Sequence, residues 1–277
     1  MKRKLQHPLI LALLTAGMFL FAGCGDDNDD AAPNNTFPGT VVDVDGNEYK
    51  TVLIGNQIWM AENLRVSRYN NGDSIPTGLS DADWQNTTEG AYSVYPHSGG
   101  LADDDVEGIH SDAEMVDAYG KLYNWHAVND QRGLCPAGWR VPGDGEWRDL
   151  VKYLVARGFE NEADNPNAAA NALKSCRQAD APTDSCETHE HPRWNAHSLH
   201  HGFDEFGFSA LPAGTRSSYG VLYERIGTGA FWWSSTRYYS SARAWNRSMA
   251  HISGYLSRGS SEKTNGFSVR CVSYIER

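Results

Sequence analysis

Five histidines, His189, His191, His197, His200 and His201, crowd one short stretch of the chain. Neutral imidazoles at that density are donors suited to Zn²⁺ or Cu²⁺. Their spacing is not the i, i+4 pair that a helix aims at one ion, and Pro192 follows His191 directly. A polar loop packed by Trp194 is the competing reading, so these residues are weak metal candidates and no cofactor is assigned. Asp103 to Asp117 is a second donor-rich stretch, dense in the carboxylates that Ca²⁺ prefers. It lacks the EF-hand spacing and its fixed Gly, and reads as a solvated, exposed insertion. Serine is abundant, but no Gly-x-Ser-x-Gly elbow presents one as a nucleophile. Tyr219-Gly220 and Gly227-Thr228-Gly229 read as glycine turns between strands rather than phosphate cradles. No catalytic residue is assigned.

The cysteines say more. Cys24 closes an N-terminal segment in which Lys2, Arg3 and Lys4 precede an apolar run, Leu9 to Ala22, broken only by Thr15 and Gly17. That run is shorter than the roughly 20 apolar residues a bilayer span needs, and it has the length and flanks of a secretory signal. Ala22 and Gly23 fit cleavage ahead of a thiol that becomes lipid-modified, although Phe21 stands where such signals usually show Leu. The reading is a signal peptide over 1–23, lipidation at Cys24 and a flexible tether over 24–39. An ordinary cleaved signal or an uncleaved anchor are the alternatives. Gly25 to Asn35 is acidic and built of small residues, so it cannot offset the entropy of its own ordering. An acidic run just behind a lipidated Cys resembles a surface-export signal of some Gram-negative lipoproteins. An outer-membrane lipoprotein facing outward, held to the membrane by its lipid, is therefore expected; a solvated spacer is the competing reading. The other cysteines, Cys135, Cys176, Cys186 and Cys271, are even in number, and an exported chain would pair them in one of three ways. Cys176–Cys186, which closes a local loop, and Cys135–Cys271, which ties mid-chain to the last strand, are favoured. Free buried thiols are the alternative.

The elements that must position these residues follow from periodicity. Thr40 to Met60 holds three β-rich runs punctuated by Asp45-Gly46 and Gly55-Asn56, both favoured two-residue hairpin turns. Pro76 to Gly90 reads as a polar loop around Trp84. In the stretch 118–130, Tyr119, Leu122, Tyr123 and His126 fall on one helical face. In 143–158, Trp147, Leu150, Val151, Leu154 and Val155 form a cleaner stripe, with Glu146 placed as in a capping box and Gly158 as the stop. Asn161 to His201 is polar loop, and short strands return from Phe206. The order of sheet, two helices, long loops and sheet is α+β, with 40–277 as one domain. The net charge of −11 and the lack of a basic stripe argue against nucleic acid as a partner. Nine Trp and 13 Tyr without a second long apolar run suggest a compact exported domain with stacking surfaces.

An ordered set of segments carries a family resemblance. It comprises Ile58-Trp59-Met60-Ala61-Glu62-Asn63-Leu64, Tyr119-Gly120-Lys121-Leu122-Tyr123-Asn124-Trp125, and Cys135-Pro136-Ala137-Gly138-Trp139-Arg140-Val141-Pro142 with Glu146-Trp147. It continues with Gly207 to Gly214, Trp232 to Thr236 and Asn265 to Val272. The set resembles the Fibrobacter succinogenes major paralogous (FISUMP) domain, known mostly from exported and lipid-anchored bacterial proteins. More distantly, Arg140-Val141-Pro142, Glu146-Trp147, Gly266-Phe267 and Arg270-Cys271 resemble the sulfatase-modifying (formylglycine-generating) family. That likeness implies a C-type-lectin-like fold, two helices packed on irregular antiparallel sheets, which a Cys135–Cys271 bridge would suit. The reactive cysteine pair of the sulfatase modifiers has no counterpart, since Cys271 stands alone near the C-terminus.

Lectin-like domains often bind sugar through Ca²⁺ held by a Trp-Asn-Asp run; here the run is Trp245-Asn246-Arg247, and Arg stands where a hard cation wants oxygen. Sugar could still stack on Tyr219, Tyr238 or Tyr239, while Trp232, Trp233 and Trp245 are expected in the core. The expected function is a binding or structural module of the bacterial envelope that contacts glycan, matrix or another envelope protein, and not an enzyme. The alternative is an enzyme that uses the cleft of the same fold. Arg140, Glu146 and Arg270 locked in internal pairs would favour the module.

Overall fold

The first strands form because β-branched and aromatic residues alternate with polar ones: in β2 (Glu48–Ile54), Tyr49, Val52 and Ile54 are buried and Glu48 and Lys50 exposed. In the computed structural model, residues 39–98, 106–182, 186–220 and 223–274 are described. The expected leader over 1–23, Cys24 and the expected tether as far as residue 38 lie outside them.

β1 (Thr40–Val42), β2 and β3 (Gln57–Met60) run antiparallel, and the last strand, β11 (Val272–Tyr274), adds to β3. The Gly55-Asn56 turn is the expected two-residue hairpin: Ile54 pairs with Gln57, and Gly55 takes a φ of +65°. Asp45-Gly46 is not. Its loop covers Asp43 to Asn47, closed by the Asp43 carboxylate, which accepts from the backbone N–H groups of Asp45 and Asn47.

Between these strands lie α1 (Asp81–Asn86), β4 (Tyr92–Ser93), α2 (Asp112–Tyr119), β5 (Leu122–Tyr123), α3 (Trp125–Val128), α4 (Asp144–Ala156) and α5 (Ala169–Leu173). Then come β6 (Ala213–Arg216), β7 (Tyr223–Ile226), β8 (Gly229–Arg237), β9 (Arg243–Ala250) and β10 (Ser257–Glu262). β8, β9 and β10 form a second antiparallel sheet in the order β10-β9-β8; β4 pairs with β5 and β6 with β7. The architecture is mixed α+β, with several antiparallel sheets and few helices.

Three helix expectations are corrected. The stretch 118–130 is not one helix. α2 ends at Tyr119 because Gly120 adopts a φ of +77° in a spot where a Cβ would sit 2.8 Å from the Asn63 side chain. The chain then forms β5 before Asn124 caps α3 by accepting the Ala127 N–H at 3.0 Å. Second, the acid-rich stretch up to Asp117 is not merely an exposed insertion. It supplies most of α2, and Val106, Ile109, Met115 and Tyr119 are buried beneath Tyr95 and Ala213. Third, α1 and α5 occupy segments read as loop, Trp84 being the buried anchor of α1.

The expected α4 is present, with Trp147, Leu150 and Leu154 buried. Trp147 meets Trp59 at 4.8 Å and Trp232 at 6.0 Å between ring centroids, and Phe208 closes the cluster. Trp233 and Phe267 belong to a second core region around the Cys135–Cys271 disulfide. Both expected disulfides are formed. The chain-entropy relation credits the loop of 136 residues with about 5 kcal/mol and the Cys176–Cys186 loop of 10 with about 3 kcal/mol.

Candidate functional site

Alternation along β9 places Arg243, Trp245, Arg247 and Met249 on one face. Cross-strand pairing sets Arg258 of β10 beside Arg247 and Ser260 beside Trp245. α4 covers this face only in part. Its first residue, Asp144, meets Arg247 at 2.6 Å and Arg258 at 2.8 and 3.0 Å. Trp245, the next residue outward on the face, lies past the helix start and is half-buried rather than in the core; Trp232 and Trp233 are fully buried as expected.

The turn after β8 folds Tyr238 and Tyr239 against Trp245. Tyr238 lies 4.7 Å from the Trp245 ring, edge to face, and 5.2 Å from Tyr239. Tyr239 is 91% exposed. The Arg258 guanidinium stands 3.3 Å from the Trp245 ring centroid. The result is a shelf of three rings in which Tyr239 is exposed, Tyr238 and Trp245 are half-buried, and one face of Trp245 is covered by a cation. Beside it opens a groove of about 360 Å³, lined by Asp144, Arg148, Arg247, Tyr255, Leu256 and Arg258 among others.

Electrostatics fix the groove wall. Burial alone would raise the Asp144 carboxyl, but hydrogen bonds from Arg258 and Arg247 outweigh it and hold the group below the usual carboxylate range. Asp144 is also the first residue of α4, where the helix dipole favours a negative charge. Arg247 is 3% exposed at its side chain and is neutralised by Asp144; Arg258 is 44% exposed and reaches solvent.

The other sequence candidates are dispersed. Tyr219 is exposed, but it sits on the loop between β6 and β7, where its neighbour Gly220 lies against Asp81 of α1. Among the described residues no ring contact joins it to the shelf. The five histidines do not converge. His191 is held by the Tyr119 hydroxyl, and burial, aided by Arg193, lowers its pKa to about 4. His197 stacks on buried His200 at 4.9 Å and accepts backbone N–H groups of its own turn. His201 faces Gln178. His189 lies on the surface with Asp180 and Glu187, their donor atoms within 4.8 Å of one another, the one such metal-capable group among the described residues. It shares a ligand set with none of the other four.

Arg140, Glu146 and Arg270 hold the fold. Arg140 pairs with Glu146 at 2.8 Å, and Glu146 also accepts the Gly143 N–H at the start of α4. Arg270 is buried and donates to backbone carbonyls and to Asn63 rather than to a carboxylate. A smaller hollow of about 150 Å³ lies beside it, lined also by Lys50, Glu62 and Asp117. Sequence reasoning missed Arg148, Arg258, Tyr255 and the exposure of Trp245. The Arg-Trp-Arg alternation over 243–247 was the available signal.

A disulfide-tied α+β domain with an aromatic and cationic surface is thus the class that fold and site define. The family described as Fibrobacter succinogenes major domain matches residues 52–273, and the chain belongs to it. No curated protein and no solved structure gives a significant match.

Proposed function

We propose that the chain is a binding module of the bacterial envelope, anchored through a lipid on Cys24 and facing outward, whose aromatic shelf stacks glycan. The observation that carries this reading is the cluster of Tyr238, Tyr239 and Trp245, in which both tyrosines meet the Trp245 ring edge to face and Tyr239 stands 91% exposed. One face of a pyranose presents its C–H bonds as a nearly apolar, weakly positive surface. Such a surface matches the negative face of an aromatic ring, and each contact removes apolar area from water. Arg140 and Glu146 pair with each other, which favours a module over an enzyme; Arg270 makes no ion pair among the described residues and is held by backbone carbonyls and Asn63 instead.

A C-type-lectin-like frame is part of the same reading. Its supports are the shared sheet of β1 and β11, the two longest helices α2 and α4, and the bridge from Cys135 to Cys271. The test is a glycan array probed with the wild-type chain and with Tyr239→Ala. Binding that the substitution reduces at least tenfold is expected. An array at background, or binding indifferent to Tyr239, defeats the reading. Labelling of cells with a clickable palmitate should mark the wild type and not Cys24→Ser, and added protease should remove the domain from intact cells.

A further inference from the structure

The groove beside the shelf is basic, in a chain whose net charge is −11. Three arginines line it, Arg148, Arg247 and Arg258, against one acid, Asp144. Among the described residues the Asp144 carboxylate accepts hydrogen bonds from Arg247 and Arg258 only. Arg148 follows Asp144 by four residues and so stands on the same face of α4. It is exposed and has no hydrogen bond or ion pair among the described residues. Tyr255, 40% exposed, brings a phenol to the same wall. At about 360 Å³ the groove falls in the range of small-molecule sites, roughly 300–1,000 Å³. Arg258 belongs to both features: it stacks on Trp245 and it lines the groove. A sugar resting on the rings therefore has a cationic groove at its edge.

We propose that the ligand is an acidic polysaccharide, with one anionic group held in the groove by Arg148, Arg258 and Tyr255 while a neighbouring ring stacks on the shelf. The proposal rests on the glycan reading above and names the ligand's chemistry. The Arg148 guanidinium is planar and presents paired N–H donors that match a carboxylate, and hydrogen bonds to charged partners are the stronger kind; Arg258, whose Nε and Nη2 are on Asp144, adds its charge and remaining N–H groups. A sulfate ester offers the same charge and acceptor oxygens. Asp144 does not repel such a group, because its own charge is already answered by two arginines. A neutral sugar would use the rings and leave Arg148 without a partner.

The experiment titrates the full chain, by calorimetry, with three probes: an oligogalacturonate, a sulfated galactan oligomer and a cello-oligosaccharide. At least one acidic probe is expected to bind at least tenfold more tightly than the neutral one, and the two acidic probes decide between carboxylate and sulfate. Arg148→Gln, at an exposed position and with its fold checked by a thermal melt that should match the wild type, should weaken that binding about tenfold, the worth of one charge-assisted contact. Tyr239→Ala should weaken every probe. If the neutral probe binds as tightly as the acidic ones, or Arg148→Gln changes nothing while Tyr239→Ala does, the acidic ligand is overturned and the glycan reading stands. Heat from none of the three removes both.

Discussion

Arg270 is a buried cation with no carboxylate in hydrogen-bonding reach among the described residues. Its guanidinium donates to the carbonyls of Met60, Phe208 and Ser209 and to Oδ1 of Asn63, and lies over the Phe208 ring at 4.2 Å. Burial pulls its pKa down to about 9. The carbonyls come from β3 and from the loop ahead of β6, so one side chain joins segments far apart in sequence. Arg270→Lys keeps the charge but offers three donors from a single point. It strands at least one buried carbonyl and should cost about 3 kcal/mol or more. Urea denaturation checks this, and a loss under 1 kcal/mol would show that the carbonyls are satisfied another way. Such a role was not legible beforehand, because Arg in Ser-Val-Arg-Cys gives no hint of which carbonyls it will meet. Trp245 illustrates the opposite limit. Its type suggested the core, yet cover depends on where α4 begins, and Asp144 reaches Arg247 but not the next residue outward.

At the scale of elements, α4 was readable from its stripe of Trp147, Leu150 and Leu154, and the Gly55-Asn56 hairpin from its turn chemistry. The cap of α4 was only half readable. Glu146 accepts the Gly143 N–H at 3.0 Å, as in a capping box, but glycine has no hydroxyl to return the bond. Thr236 of β8 serves another first-turn donor instead: its Oγ1 takes the Asp144 N–H at 2.9 Å. The helix that presents Asp144 and Arg148 to the groove is thus seated on the strand that leads to Tyr238 and Tyr239. Thr236→Val keeps the shape and removes the acceptor, and should cost about 1 kcal/mol. Because it also loosens Asp144, binding at the groove should weaken along with stability. A chemical melt matching the wild type would mean water caps the helix instead. α2 was missed although its start was written in the chain: Ser111 accepts the Glu114 N–H and Glu114 accepts the His110 N–H. The density of acids around that signal suggested solvent, while the burial that decides the matter comes from Met115 and Tyr119, packed under residues distant in sequence.

For the molecule as a whole, the cysteine pairing was legible and the balance of buried charge was not, because desolvation depends on the complete fold. Burial lowers His191 to about 4, and also lowers His200 and His251, which gather with His197 near Lys174. His191, His200 and His251 stay neutral in the fold while their unfolded counterparts titrate near 6.5, so the unfolded chain binds more protons below that pH. Their contribution is present above 6.5 and is lost as pH falls through their lowered pKa values, about 4 for His191. Asp144 and Glu146, held low by arginines despite burial, extend the loss further into acid. On the alkaline side, burial brings Lys174 down to about 7 from 10.5. The folded protein sheds that proton while the unfolded chain keeps it, so stability climbs as pH rises from 7 toward 10.5. Phenols set the upper limit. Burial pushes Tyr69 up to about 12 and Tyr49, Tyr119 and Tyr123 higher still, so above pH 10 only the unfolded tyrosines ionise and stability falls again. The urea midpoint should therefore increase from pH 5 to 7 and again from 7 to 9. Lys174→Met should flatten the second rise and leave the first, which belongs to the histidines. A midpoint that peaks at neutrality, or an alkaline rise unchanged in that variant, would mean that the amine near Asn171 and Ser253 is solvated well enough to titrate as an ordinary lysine.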